Sequence, residues 1–331
     1  MRRTVGLVLA VLGLQLGFVL SYVGAFHDPR PDAIPVEVVA PAGVAEQLDT
    51  ATGGALDVTP ADEAGARADL AADRTDGVLI MGSRGDTLLV ASAAGTSVSG
   101  AVEAVVGQVE AAQGRAFTVQ DVVAPQAGDA RGLSGFYLVT GWIVGGYLLA
   151  ALLGLTGEKR PDLRTTARRL GVALGFAALG GLGGAVIAGP VLGALTGRVL
   201  ALWGLGTLLT FAAAAVTVAL SALFGVVGIG ATILLFVVLG NPSAGGAYQA
   251  GVLPGFWATI GGWLPNGAGV DALRRIVYFD GAGSTAPLLV AAAWALGGIV
   301  VGLLVGWRRG RPQVPHGRHE VGRVAPAPLP A

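Results

Sequence analysis

The chain has 331 residues, 53% of them hydrophobic and 13% charged, with a formal net charge of zero and a mean hydropathy of +0.69. A soluble single domain does not solvate such a balance, whereas lipid accommodates it, so the sequence is read first for membrane spans. It holds no cysteine, which excludes thiolate redox chemistry, Cys-ligated zinc and disulfide staples.

Residues 5–26 run without a charge behind Arg2 and Arg3, long enough as a helix to cross about 30 Å of hydrocarbon. Val23-Gly24-Ala25 mimics a signal-peptide cleavage site. The apolar stretch exceeds the usual h-region of about 7–15 residues, so residues 1–26 are expected to be a retained anchor.

Residues 27–133 then change character, with sixteen acids against six arginines, and read as an α/β unit. Strands are expected at 35–40 and 56–58, with a short helix at 43–50 between them. An Ala-rich helix opens at Asp62 and Glu63, where acids suit a helix amino end. Residues 78–81 and 87–91 pair as a hairpin across Ser83-Arg84-Gly85-Asp86. Val98, Val102, Val105, Val106 and Val109 mark one face of a helix that Gly114 ends, and a strand returns at 117–123. Residues 125–131 lack apolar periodicity and read as a linker.

From 134 to 307 the chain is expected to form a five-helix membrane region: 134–156, 170–195, 199–220, 222–240 and 287–307, with an outer segment at 241–285. With the first anchor this makes six spans. Residues 308–331, rich in Pro, Gly and Arg, read as a disordered tail. The amino end, the 157–169 loop and the tail carry twelve basic residues against the acids Glu158, Asp162 and Glu320, so all three are expected to be cytoplasmic. Residues 27–133 then fall outside the cell. Arg198 and the pair Arg274 and Arg275 stand as exceptions on the outer face, where an amphipathic segment could host the pair.

The expected spans contain no Asp, Glu, Lys, Arg or His, which argues against an ion-coupled relay. No Gly-x-x-x-x-Gly-Lys-Ser/Thr loop occurs, so the chain has no ATP motor of its own. Gly267-Ala268-Gly269-Val270-Asp271-Ala272 fits a relaxed dinucleotide fingerprint, but no strand precedes it and it reads as a loop entering a helix. Nucleophile elbows, His-Glu-x-x-His pairs and clustered metal ligands are missing, so no catalytic, cofactor or metal residue is assigned and no enzyme is expected. The acidic outer unit argues against nucleic acid, while the basic cytoplasmic residues suit anionic membrane lipid.

Three features remain. Gly171, Gly175, Gly180, Gly184 and Pro190 in the third span offer close helix packing and, at Pro190, a kink. The 157–169 loop, with Glu158, Lys159, Arg160, Asp162 and Arg164, reads either as a basic anchor or as a docking segment for a cytoplasmic partner. After the fifth span, short apolar pieces broken by Pro and Gly carry Asn241, Pro242, Gly245, Gly246, Pro254, Trp257, Trp263, Pro265, Arg274, Tyr278 and Asp280. Pieces so short do not span, and Trp and Tyr favour the headgroup zone, so a re-entrant or interfacial helical hairpin is expected, serving as a seal or as a gate.

Asn241-Pro242-Ser243-Ala244-Gly245-Gly246, followed by Leu253-Pro254-Gly255-Phe256-Trp257, Leu264-Pro265-Asn266-Gly267-Ala268 and Val277-Tyr278-Phe279-Asp280-Gly281, resembles the YhgE/Pip-type branch of the ABC-2 permease superfamily, with the related DUF3533 membrane proteins of actinobacteria. The resemblance extends over residues 1–310 and is strongest at 241–281. It implies a six-span bacterial plasma-membrane exporter subunit, working as a homo- or heterodimer. A separate cytoplasmic P-loop ATPase would act on the stretch around 158–168, and ATP would enter only through that partner. The uncharged spans suit an amphipathic or lipid-like cargo. The alternative is a non-transporting anchor or receptor whose outer unit binds a ligand or secreted partner.

Overall fold

The computed structural model describes residues 2–156 and 161–309. Behind the first helix, α1 (Arg2–Phe26), lies a five-stranded sheet built from β1 (Ile34–Val39), β2 (Leu56–Pro60), β3 (Gly77–Ile80), β4 (Asp86–Val90) and β5 (Phe117–Asp121). The strand order is β2-β1-β3-β4-β5. Every pairing is parallel except the β3–β4 hairpin. Three helices connect them: α2 (Val44–Thr52), α3 (Glu63–Ala71) and α4 (Thr96–Gln113). Asp62 caps α3 by accepting the Gly65 amide at 2.9 Å, and Gly114, at φ +66°, ends α4. The strands and helices expected from periodicity are therefore present, with ends shifted by one or two residues.

Alternation along the strands divides the core between two faces. Val36, Val38, Leu79, Leu88 and Val90 point toward Val98, Val102, Val106 and Val109 of α4 and Leu48 of α2. Val78, Leu89 and Ala91 point the other way, onto Ala66 and Leu70 of α3. This second face is completed by Phe279, 4% exposed, which arrives from the membrane region.

Among the described residues, five helices are long and apolar enough to cross a membrane: Thr4–Phe26, Ser134–Thr156, Leu163–Val191, Val199–Phe224 and Thr285–Arg309. They correspond to α1, α5 (Ser134–Thr156), α6 (Leu163–Val186, extended by a π turn), α7 (Val199–Phe224) and α11 (Thr285–Arg309). The chain is thus a multi-pass α-helical membrane protein with a small sheet domain. Large apolar side chains such as Leu20, Leu179 and Leu200 are about three-quarters exposed, the pattern of a surface solvated by hydrocarbon.

Helix α7 is the hub, buried along Ala212–Ala219 and packed against α5, α6 and α11. Small residues permit this approach. A methyl at Gly146 of α5 would collide with the Thr210 carbonyl, and one at Gly298 of α11 with the backbone of Ala215 and Val216. In α6 the packing glycines are Gly181, against Thr207, and Gly184, against Trp142. Gly171 and Gly175 face open space, which corrects the expectation that they line helix contacts, whereas Gly180 meets α5 through its carbonyl, which accepts from the Trp142 indole at 3.3 Å. Pro190 lies in the π turn Ile187–Val191, where the Leu192 amide reaches back to the Ile187 carbonyl at 3.0 Å. The wide turn absorbs the N–H that proline lacks.

The expected fifth span, 222–240, is revised. Helix α7 continues through Phe224 and turns at Gly225, where φ is +62°. Beyond the turn lie α8 (Val226–Ile233) and a π-helical stretch, Leu234–Gly240, together an apolar helix shorter than the length that hydrocarbon requires. Irregular chain then leads to the sheet domain, burying Pro242, Ser243, Ala244, Gly246 and Gln249. Two further helices follow: α9 (Gly255–Gly261), largely at the surface, and α10 (Pro265–Tyr278). The first turns of α10 are buried against α5, α7 and α11, so this helix packs into the bundle.

Candidate functional site

The residues singled out between 241 and 280 converge on the junction of bundle and sheet domain. Deep in the bundle, Asn266 is 1% exposed and its amide donates to the Phe236 carbonyl at 3.1 Å and to the Asn241 side chain at 2.8 Å. The first bond satisfies a carbonyl of the π-helical stretch, the kind of backbone group that lipid cannot satisfy. Leu264 caps α10 and Pro265 occupies its first turn, where a missing N–H costs nothing. The glycines of the dinucleotide-like pattern therefore lie inside the helix, Gly267 against the Gly261 carbonyl and Gly269 against Val139 and Leu209. Their role is close packing.

Higher up, Gly245, at φ +71°, presents its carbonyl to Arg274 at 2.6 Å and to the Gln249 amide at 3.2 Å. Gly246 sits against the Phe136 ring, leaving no room for a side chain. Gln249 also accepts from the Ser97 amide at 3.1 Å and from its hydroxyl, tying the segment to the start of α4. Asp32 and Arg30 donate their amides to Gly251 and Val252 at 3.0 and 3.1 Å. Pro254 caps α9, which carries Trp257 and is followed by Trp263, 72% exposed, whose carbonyl accepts from Trp294 of α11 at 2.8 Å.

Charges gather at the same level. Arg275 bonds Asp73 of the sheet domain at 2.8 Å and Asp271 at 2.8 Å. Arg198, between α6 and α7, pairs with Asp280. Tyr278 donates to Asp129 at 3.1 Å, and Asp129 in turn accepts the Ser134 amide at 2.8 Å. The three arginines that break the basic-side pattern in the sequence thus sit at the sheet-domain end of the bundle, two of them matched by acids. Asp76 lies in the same group. Its burial, reinforced by Asp73 and opposed by Arg275, pushes its carboxyl up to about 6.

These side chains wall a cavity of about 590 Å³ between β1, the turn before β3, the irregular 243–251 segment, α9, α10 and the start of α11. The polar members Asp73, Asp76, Gln249, Asp271, Arg274 and Arg275 all line it. Below it, an apolar groove of about 630 Å³ runs between α7 and α11. Of the residues expected to act here, the structure brings together Asn241, Pro242, Gly245, Gly246, Pro254, Trp257, Trp263, Pro265, Arg274 and Tyr278. Asp280 is set apart, 89% exposed at its side chain. Sequence reading missed Asp73, Asp76, Ser97 and Gln249, which lie far away in the chain or in stretches without a motif, and it gave Phe279 no role beyond its place in the motif at 277–281.

At the other end of the bundle, Asp162 caps α6 by accepting the Thr165 amide at 2.8 Å, a bond that holds its carboxyl below the usual range. Arg164 is exposed in the first turn. The charged segment is therefore continuous with a long helix and not a separate short one. Glu158, Lys159 and Arg160 lie outside the described residues. Among the described residues no cluster of His, Asp and Glu is placed to hold a metal ion.

Comparison with protein-family models, curated proteins and solved structures gave no match for this chain.

Proposed function

We propose that this chain is the membrane-spanning permease subunit of an ABC-2-like exporter of the YhgE/Pip and DUF3533 kind. In this reading it works as a dimer in a bacterial plasma membrane, moving an amphipathic or lipid-like molecule outward with energy from a separate cytoplasmic P-loop ATPase. The observation that carries the reading is the 226–279 segment. A helix stops short of a full crossing, irregular backbone takes over, a helix re-enters, and the tip, Phe279, joins the core of the sheet domain. Broken helices at membrane depth are tolerated where they are buried or line a cavity, which is where transporters build their paths. A receptor on a passive anchor has no need of a core shared between its ligand domain and a re-entrant helix.

Contacts also favour six traverses. Arg198 at the start of α7 pairs with Asp280 near the sheet domain, and α7 then runs about 39 Å to Gly225 at the far end. From there the 226–249 segment returns as far as Ser97 of the sheet domain, completing a crossing that is half helix and half irregular chain. Both termini then lie in the cytoplasm, as the basic residues favour, with 27–133 outside.

The test is mechanical coupling. Asp162→Ala and Arg164→Ala are expected to leave membrane insertion intact while separating ATP hydrolysis by the partner from export. Unchanged export in both variants would remove the proposed coupling segment.

A further inference from the structure

The polar cavity and the apolar groove are neighbours. Trp263 and Val290 line both, and α11 runs from one to the other, with Ala286 and Pro287 beside the polar part and Ala293, Gly297 and Val301 beside the apolar part. Each has a volume within the range of about 300–1,000 Å³ common for small-molecule sites. The groove is lined by no ionisable side chain among the described residues, and Leu289 and Val301, 64% and 38% exposed, leave it open to lipid.

The polar part leaves two charged side chains without a contact partner of opposite sign among the described residues. Arg275 is spent on Asp73 and Asp271, and Arg74 on Asp69. Arg274 uses one donor on the Gly245 carbonyl and forms no ion pair among the described residues, although a guanidinium has five donors. The Asp76 side chain likewise has neither hydrogen bond nor ion pair among the described residues. One cation and one anion thus line the same cavity without a direct partner of opposite sign.

We propose that the two spaces form a single site for a zwitterionic, acyl-tailed amphiphile at the leaflet on the sheet-domain side, where an outward-moving cargo leaves the protein. Its cationic group faces Asp76, its anionic group faces Arg274, and its tail lies between α7 and α11. A zwitterion satisfies both unmatched charges together, where a singly charged head leaves one of them bare. The volumes and the open apolar flank fit a tail that passes between the site and the bilayer. This deepens the export reading by naming the chemistry of the cargo, and it is tested through binding alone.

The full-length chain in detergent is titrated with lysophosphatidylcholine brominated on its tail, and quenching of tryptophan fluorescence is followed. Lysophosphatidylglycerol and an alkyltrimethylammonium with the same brominated tail serve as anionic and cationic controls. The zwitterion is expected to bind at least tenfold more tightly than either control, with quenching that Trp294→Phe diminishes. Gly297→Leu is expected to abolish that preference, since Gly297 lines the groove and a Cβ there meets no heavy atom within 4 Å, so the added side chain enters the groove from an open position. Asp76→Asn, at a side chain with no bond to lose, is expected to bring the zwitterion down to the anionic control, and Arg274→Gln down to the cationic one. Equal quenching by all three heads, unmoved by Gly297→Leu, would overturn the proposal and leave ordinary lipid contact. Loss of self-association in Gly297→Leu without any change in quenching would overturn it too, marking the groove as a contact with a second copy. Selective binding in a chain that captures no ATPase would keep the site and remove the export reading.

Discussion

At the residue scale, the junction between bundle and sheet domain rests on few charges. Arg275, about one-fifth exposed, is held between Asp73 and Asp271, and removing it strands two acids in a partly buried place. Arg275→Ala is expected to cost about 1–3 kcal/mol, read as a lower Tm of the full chain in detergent. An unchanged Tm would mean that the domain is docked by Phe279 and the backbone bonds alone. A second cluster lies inside the sheet domain. Asp86, fully buried, is bonded by Arg115, which holds its carboxyl below the usual range, while burial and the neighbouring Asp86 push Glu110 up. The signs are opposite. A lowered acid supports the fold above its unfolded pKa and loses that support as pH falls; a raised acid supports it at low pH and loses support as pH rises through the folded pKa. Stability of the domain should therefore decline on both sides, with Glu110, raised to about 7, and Asp76, raised to about 6, both contributing to the fall from the ordinary carboxylate range toward neutrality. Glu110→Gln is expected to make that limb shallower in denaturation experiments across pH, and an unchanged profile would assign the fall to Asp76 and its neighbours.

At the element scale, packing decides what hydropathy cannot. Gly298 lets α11 lie directly on the backbone of Ala215 and Val216, so Gly298→Leu forces the helices apart. The cost of such overpacking is about 1–3 kcal/mol, visible as thermal destabilisation, whereas Gly297→Leu one residue earlier should be nearly silent. Phe279→Ala is expected to open a cavity on the second face of the sheet and to cost about 3–5 kcal/mol. Limited proteolysis would then cut the connections around 27–33 and 125–133 faster than in the wild type. The sheet elements were legible in the sequence because period-two strands such as Ile34–Val39 and the valine face of α4 leave local signals. The fifth span was legible as apolar and not as half-length, because 222–240 is continuously hydrophobic whether it is straight helix, π helix or the end of α7. Its limits are set by Gly225 and by the Asn241–Asn266 contact, and neither shows in hydropathy. The break of this segment into short helices was legible from Pro and Gly, yet the partners of Gln249, Arg275 and Phe279 were not, since nothing local says which distant strand or loop an aromatic tip will reach.

At the scale of the whole molecule, a membrane bundle with α7 as its hub is joined to a sheet domain whose core Phe279, at the end of α10, completes. Topology is open to a direct check, because the chain lacks cysteine and single substitutions label cleanly. Gln120→Cys, on the exposed β5, should react with a membrane-impermeant maleimide on intact cells. Thr156→Cys, at the end of α5, should react only after the cells are opened. The reverse pattern would invert the orientation, and equal reactivity of both on intact cells would contradict an odd number of crossings between them. Function is reached most directly through the partner. Affinity capture of the tagged full-length chain from its own host in mild detergent, with identification of bound proteins and an ATP hydrolysis assay, is expected to yield a P-loop ATPase in stoichiometric amount that hydrolyses ATP. Capture of the intact chain without any such ATPase would contradict the exporter reading and leave an anchored, lipid-facing receptor in its place.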